Sequence, residues 1–184
     1  DRVGWFKSMV RKTLGLAPTK RDSCLFVGLD AAGKTSLLYL LARGELIMTI
    51  PTIGFNIEDL KVPAAGVLTC WDTGGCDRIR PLVRHYLVGT GVVVHVVAAQ
   101  DERLVESVDE FHSFTLMAEA LEPRVKVVVA VRQPPPDHPQ PPRYSMDDIR
   151  STLLARSAID QLPWRMVEWS PQDVSQVGDA LAWA

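Results

Sequence analysis

The chain has 184 residues, 47% of them hydrophobic and 23% charged, with a formal net charge of -2. That size and composition suit one globular domain with a substantial core, and the near-neutral charge argues against a nucleic-acid binder, which usually carries a strong basic excess. No apolar run approaches the ~20 residues that cross a bilayer, and Cys24, Cys70 and Cys76 are odd in number and form no C-x-x-C pair, so they read as reduced intracellular thiols and not as a disulfide frame or zinc site.

In chain order, Trp5, Phe6, Met9, Val10 and Leu14 recur at helical spacing, with Lys7, Arg11 and Lys12 on the other face. This predicts an amphipathic helix and linker over residues 1–20, ahead of a domain spanning 21–184. The chain begins at Asp1 and not at methionine, so its start is processed, truncated or left out; of these, a cleaved targeting peptide would place the protein inside an organelle such as the mitochondrion. Gly4 and Ser8 match the spacing of a myristoylation signal, but Val3 stands where the initiator methionine is needed, which argues against lipidation.

Ser23-Cys24-Leu25-Phe26-Val27 reads as a short buried strand, and Ser36-Leu37-Leu38-Tyr39-Leu40-Leu41 as a helix that ends near Arg43 with Gly44 as its stop. Between them lies Gly28-Leu29-Asp30-Ala31-Ala32-Gly33-Lys34-Thr35, which fits G-x-x-x-x-G-K-[ST]. In that spacing backbone N–H groups wrap a β-phosphate, the lysine reaches the β and γ oxygens, and the hydroxyl of the last residue ligates Mg²⁺. Phosphate-binding candidates here are Asp30, Ala31, Ala32, Gly33, Lys34, Thr35 and Ser36.

Further along, residues 53–60 and 67–71 look like two strands of a hairpin joined through Pro63-Ala64-Ala65-Gly66. Val92-Val93-Val94-His95-Val96-Val97 is uniformly apolar and β-branched apart from its histidine, the pattern of a central strand. His95 reads as a core residue, and His85, His112 and His138 are too scattered to form a ligand set with the cysteines. A helix is expected over 104–121, a strand over 125–131, a helix over 146–156, a short strand over 165–169 and a closing helix over 174–183. The alternation of strand and helix implies a mostly parallel six-stranded sheet covered by helices on both faces. Residues 134–142 hold six prolines in nine positions and are expected to run extended, as a stiff surface connector or as a ligand for a proline-binding groove.

Three segments together resemble the phosphate loop, switch I and switch II of the Arf and Arf-like small GTPases. They are residues 28–35 (GLDAAGKT), 51–56 (PTIGFN) and 71–86 (WDTGGCDRIRPLVRHY). The resemblance implies the P-loop small-GTPase fold with an N-terminal amphipathic helix. It also implies that Thr52 closes over Mg²⁺ and the γ-phosphate, that Asp72 holds Mg²⁺ through water, and that Gly75 presents its N–H to the γ-phosphate. The metal set would be Thr35, Thr52 and Asp72. The family's partners would meet the surface carried by residues 53–60, Trp71 and 79–86, and its N-terminal helix would lie on the cytoplasmic face of a membrane.

The departures from the family pattern cluster at two places. Cys76 stands where the family has the glutamine that orients the attacking water, and a thiol is short and a weak hydrogen-bonding group. No base partner is evident that would make Cys76 a nucleophile, and hydrolysis at or below the unassisted rate of about 10⁻⁴ s⁻¹ is expected. At the guanine-reading motif the chain has Val131-Arg132-Gln133-Pro134, with no carboxylate for the base edge, and Ser170-Pro171-Gln172 replaces the second base loop. Arg132 remains as a residue that can stack on a purine.

These observations favour a pseudo-GTPase that holds GTP or another purine nucleoside triphosphate with Mg²⁺, without efficient hydrolysis, and acts as an interaction or structural subunit, including within a larger complex. The alternative is a conventional GTP-binding switch of membrane traffic with slow hydrolysis. An ATPase would need a replacement water-positioning group, and none is evident.

Overall fold

The protein is described by a computed structural model over residues 23–46, 54–63, 66–74, 86–121, 124–138 and 141–184. The expected N-terminal helix lies outside these residues, as do Thr52, Gly75 and Cys76.

Six strands form one sheet: β1 (Ser23–Val27), β2 (Phe55–Val62), β3 (Gly66–Thr73), β4 (Val92–Ala98), β5 (Lys126–Arg132) and β6 (Trp164–Trp169). Their spatial order is β2-β3-β1-β4-β5-β6. The β2/β3 pair is antiparallel and every other pair is parallel, as the alternating element order requires. The helices among the described residues are α1 (Lys34–Arg43), α2 (Leu104–Leu121), α3 (Met146–Arg156) and α4 (Ser175–Trp183).

Each face of the sheet has its own core. On one side Leu37, Leu38, Val177 and Leu181 from α1 and α4 bury Cys24, Phe26, Val94 and Val128. On the other, Val108, Phe111, Ile149 and Leu153 from α2 and α3 bury Leu25, Val93, Val97 and Val129. Strands covered on both faces tolerate no polar alternation, which is why β4 reads as a run of valines. The helix ends follow local chemistry. Gly44 takes the left-handed conformation at φ 70° and donates its N–H to Leu40 O, closing α1. Ser145 and Asp148 form a reciprocal capping box that starts α3.

Two expectations need adjustment. The β2/β3 hairpin is longer than the sequence suggests, pairing Phe55 with Thr73 at one end and Val62 with Gly66 at the other. This places Asp72 within a strand, opposite Asn56. The proline-rich segment is not uniformly extended either: His138 N–H donates to Pro135 O at 2.9 Å. Pro136 supplies the fixed φ favoured at the second position of a β-turn, and Asp137 accepts the third position readily, so the turn wins locally over the extended path.

Candidate functional site

The strand-to-helix turn after β1 has the backbone of an anion cradle. Gly28 has φ 131°, and a Cβ there would sit 2.5 Å from Val96 O, so no other residue fits between β1 and β4. Ala31 at φ 59° and Gly33 at φ 102° add two further left-handed positions. Alternation of this kind turns successive N–H groups toward one centre. The first turn of α1 has no side-chain cap and no acidic residue, so its N–H groups and the positive end of the helix dipole remain available to an anion.

Lys34 arches back over this loop. Its Nζ donates to Gly28 O and Leu29 O, each at 2.8 Å, and the side chain is buried. The two carbonyls fix the ammonium at the mouth of the cradle, where a phosphate would meet it. Thr35 Oγ1 donates to Asp72 Oδ2 at 2.6 Å, and Asn56 Nδ2 donates to the same oxygen at 3.3 Å. Asp72 is fully buried, and its other oxygen, Oδ1, has no partner. Burial pushes the Asp72 carboxyl above its ordinary range, against the Thr35 hydrogen bond, the Lys34 charge and the Asn56 amide.

A buried carboxylate oxygen without a partner, beside a threonine hydroxyl, fits a hard divalent cation with oxygen ligands. Thr35 would bind Mg²⁺ directly and Asp72 would hold it through water; the ion would neutralise charge on β and γ oxygens. No cluster of three or more His, Cys, Asp or Glu side chains able to hold a metal occurs among the described residues. That is expected of a site in which hydroxyls and phosphates supply most ligands.

This arrangement makes Asp72→Asn informative. A folded-state pKa raised above the unfolded value means that the folded protein holds the proton more tightly. The contribution of this one group to stability is then greatest at low pH and falls as pH rises through the folded pKa. The amide cannot ionise and can still accept from Thr35 and Asn56. We therefore expect the ligand-free variant to melt higher than wild type at neutral pH while losing Mg²⁺-dependent triphosphate binding. Melting curves from pH 4 to 7 with a Mg²⁺ titration check both; a variant less stable at neutral pH, or one binding as well as wild type, would contradict the assignment.

Two contacts at this site had no sequence signal. Arg103, at the entrance to α2, donates to Asp30 Oδ1 at 2.7 Å, Asp30 O at 3.2 Å and Asp101 Oδ2 at 2.8 Å. It ties the exposed side of the phosphate loop to the loop after β4, and its hydrogen bonds hold the Asp101 carboxyl below the usual range. From the far end of the sheet, Arg132 and Trp169 close over Gly33. A Cβ on Gly33 would lie 3.1 Å from Arg132 Cδ and 3.3 Å from Trp169 Cη2. Arg132 Nη1 also makes a long contact to Ala31 O at 3.5 Å, and burial lowers its pKa from the ordinary arginine value. Thus Asp30 to Ser36, Asp72 and Arg132 converge on one end of the sheet, while Thr52 and Gly75 lie outside the described residues.

His95 lies beneath this site in β4. It is stacked on Phe111 with ring centroids 4.1 Å apart and sits 3.4 Å from Ser107 Oγ, so it is a core residue, as its setting among valines suggested.

A doubly covered, mostly parallel sheet with a glycine-defined cradle, a buried lysine and a threonine-aspartate pair at its strand ends defines a phosphate-loop nucleotide-binding domain of the small-GTPase type. The chain matches the model of the ADP-ribosylation factor family over residues 6–184 and belongs to that family, whose members bind guanine nucleotide with Mg²⁺ and engage protein effectors. Among solved structures it is similar to one of the mammalian SRP receptor, with TM-score 0.76 and 22% identity over 88% of this chain and 98% of that chain. It is also similar to the Arl6 BBS3 small GTPase from Trypanosoma brucei, solved with the nucleotide analogue GppNp, with TM-score 0.70 and 19% identity over 88% of this chain and 93% of that one. At these identities the likeness establishes the fold. No helix among the described residues is long and apolar enough to cross a membrane.

Proposed function

We propose that this chain is an Arf-like pseudo-GTPase: it holds a nucleoside triphosphate with Mg²⁺, does not hydrolyse it efficiently, and serves as an interaction or structural subunit. The observation that carries this reading is the contrast between the two ends of one pocket. At the phosphate end Lys34 is held on Gly28 O and Thr35 on Asp72, at one strand-to-helix turn. The catalytic glutamine position is Cys76, and the guanine-reading aspartate position is Pro134. A bound triphosphate would stabilise the fold by mass action, about 2.7 kcal/mol at a hundredfold excess over Kd, without any turnover.

The interaction role is supported by an aromatic cluster formed by β2, β3 and Tyr86 ahead of β4. Phe55, Trp71 and Tyr86 stand with ring centroids 5.3 to 5.6 Å apart, and Phe55 and Ile57 are exposed on β2, the edge strand of the sheet. Rigid aromatic groups with little entropy left to lose are good anchors for a protein partner. The N-terminal amphipathic segment would bring this surface to the cytoplasmic face of a membrane.

The nucleotide content of the purified protein, measured with single-turnover hydrolysis, tests the reading. We expect bound triphosphate and turnover at or below about 10⁻⁴ s⁻¹; guanine-selective binding with turnover at the rates of active relatives would overturn it. Cys76→Gln alone is expected to leave hydrolysis slow, because placement of the base stays weak. Full rescue by that single change would restore the conventional switch as the better account.

A further inference from the structure

The end of the pocket that would meet a nucleobase has spent its hydrogen-bonding groups on itself. In the loop after β6, Ser170 N–H donates to Asp173 O at 2.9 Å and Asp173 N–H donates back to Ser170 O at 3.1 Å. Gln172 N–H and Asp173 N–H also reach Ser170 Oγ, at 3.3 and 3.2 Å. Pro171 has no N–H to give. The one carboxylate in this loop, Asp173, accepts from Ser175 N–H at 2.8 Å at the start of α4. None of the N–H groups of residues 170–173 is therefore left to recognise a base carbonyl.

The β5 side is similar. Gln133 N–H donates to Trp169 O at 2.8 Å, and Pro134 supplies neither N–H nor carboxylate. The next carboxylate, Asp137, is exposed within the turn closed by His138. Trp169 is only 2% exposed, so its indole N–H is sealed inside. What faces the base region is the half-buried Arg132, a flat cation that stacks on any aromatic ring, and the Gln133 amide, which both donates and accepts. Stacked by its face, Arg132 addresses any ring alike, and an amide that both donates and accepts can pair with an amino edge or a carbonyl edge.

Selectivity between bases comes from buried polar groups that one base satisfies and another leaves unpaired, and such groups can discriminate by 10⁴-fold or more. Here the backbone N–H groups of Ser170, Gln172, Asp173 and Gln133 are already paired within the protein, and the Trp169 indole N–H, which has no partner, is buried away from the pocket surface. At the other end the cradle, Lys34 and the unpartnered Asp72 oxygen all address phosphate and metal.

We propose that this site recognises the Mg²⁺-triphosphate tail and is blind to the base, so that its ligand class is nucleoside triphosphates in general and its occupant follows their relative abundance. The inference rests on the reading that the chain holds a triphosphate. Stacking on Arg132 adds affinity for every nucleoside alike, which places inorganic tripolyphosphate below the nucleotides but in competition with them.

The test is displacement of a ribose-labelled fluorescent GTP from protein stripped of ligand with EDTA and returned to Mg²⁺. GTP, ATP, CTP, UTP and inorganic tripolyphosphate serve as competitors. The expected result is four nucleotide dissociation constants within tenfold of one another, with tripolyphosphate weaker. A preference of tenfold or more for GTP, or for any other single base, would overturn base-blindness while leaving the triphosphate-holding reading intact. Failure of the probe and of all competitors to bind would overturn both.

Discussion

Replacing Lys34 by alanine is expected to weaken Mg²⁺-triphosphate binding by roughly 100- to 1000-fold while leaving the domain folded. The ammonium is held by Gly28 O and Leu29 O at 2.8 Å, so it is already in place when phosphate arrives and little ordering entropy is left to lose. A hydrogen bond from a charged donor contributes about 1.5–3 kcal/mol. Two such bonds, to a β and a γ oxygen, amount to about 3–4 kcal/mol at the low end, or two to three orders of magnitude at 1.4 kcal/mol per tenfold. The fold should survive because the same substitution removes a nearly buried charge whose desolvation is unfavourable. Fluorescence titration with the labelled nucleotide gives the affinity, and circular dichroism gives the melting curve. A folded variant that binds within tenfold of wild type would mean that the cradle is not a phosphate site.

The parts of this site that a sequence can express are those fixed by backbone conformation. Gly28 and Gly33 stand where φ is positive and where a side chain would meet Val96 O or Arg132, so the cradle is written as glycines at fixed spacing. The element order was legible for a similar reason: valine runs mark doubly covered strands, and Gly44 ends α1. Contacts between distant segments left no such trace. Arg103 reaches Asp30 across 73 positions of chain, and neither residue type at either place is unusual. Trp169 reads as the last residue of a strand, and nothing in its neighbours tells that it closes over Gly33. The hydrogen bonds that occupy Ser170 to Asp173 likewise follow from a local turn that composition alone does not specify. The turn at Pro135 to His138 was hidden by its own composition, since a proline run suggests extension while Pro136-Asp137 is also a good turn pair.

The buried histidine beneath the cradle should make the protein acid-sensitive well above the range in which carboxylates titrate. Burial, and next the positive charge of Lys34, lower the His95 pKa from 6.5 to about 3. Between those values the unfolded chain binds one more proton than the folded one, so this contribution to stability rises with pH across that interval. It is complete above pH 6.5 and is lost as pH falls toward 3, at about 1.4 kcal/mol per unit. A drop from pH 6.5 to 5 should therefore cost roughly 2 kcal/mol, a large fraction of the stability of an ordinary domain. Urea unfolding at pH 7.5 and 5.0 measures it, and a His95→Gln variant supplies the control. Glutamine can still bond Ser107 but cannot titrate, so its stability should change less over the same interval. Lys34→Ala should lie between, because it removes the smaller of the two causes and leaves the burial. Parallel acid losses in wild type and His95→Gln would show that the proton is taken up elsewhere. An intermediate slope in Lys34→Ala would tie the histidine in the core to the ammonium of the phosphate cradle by charge.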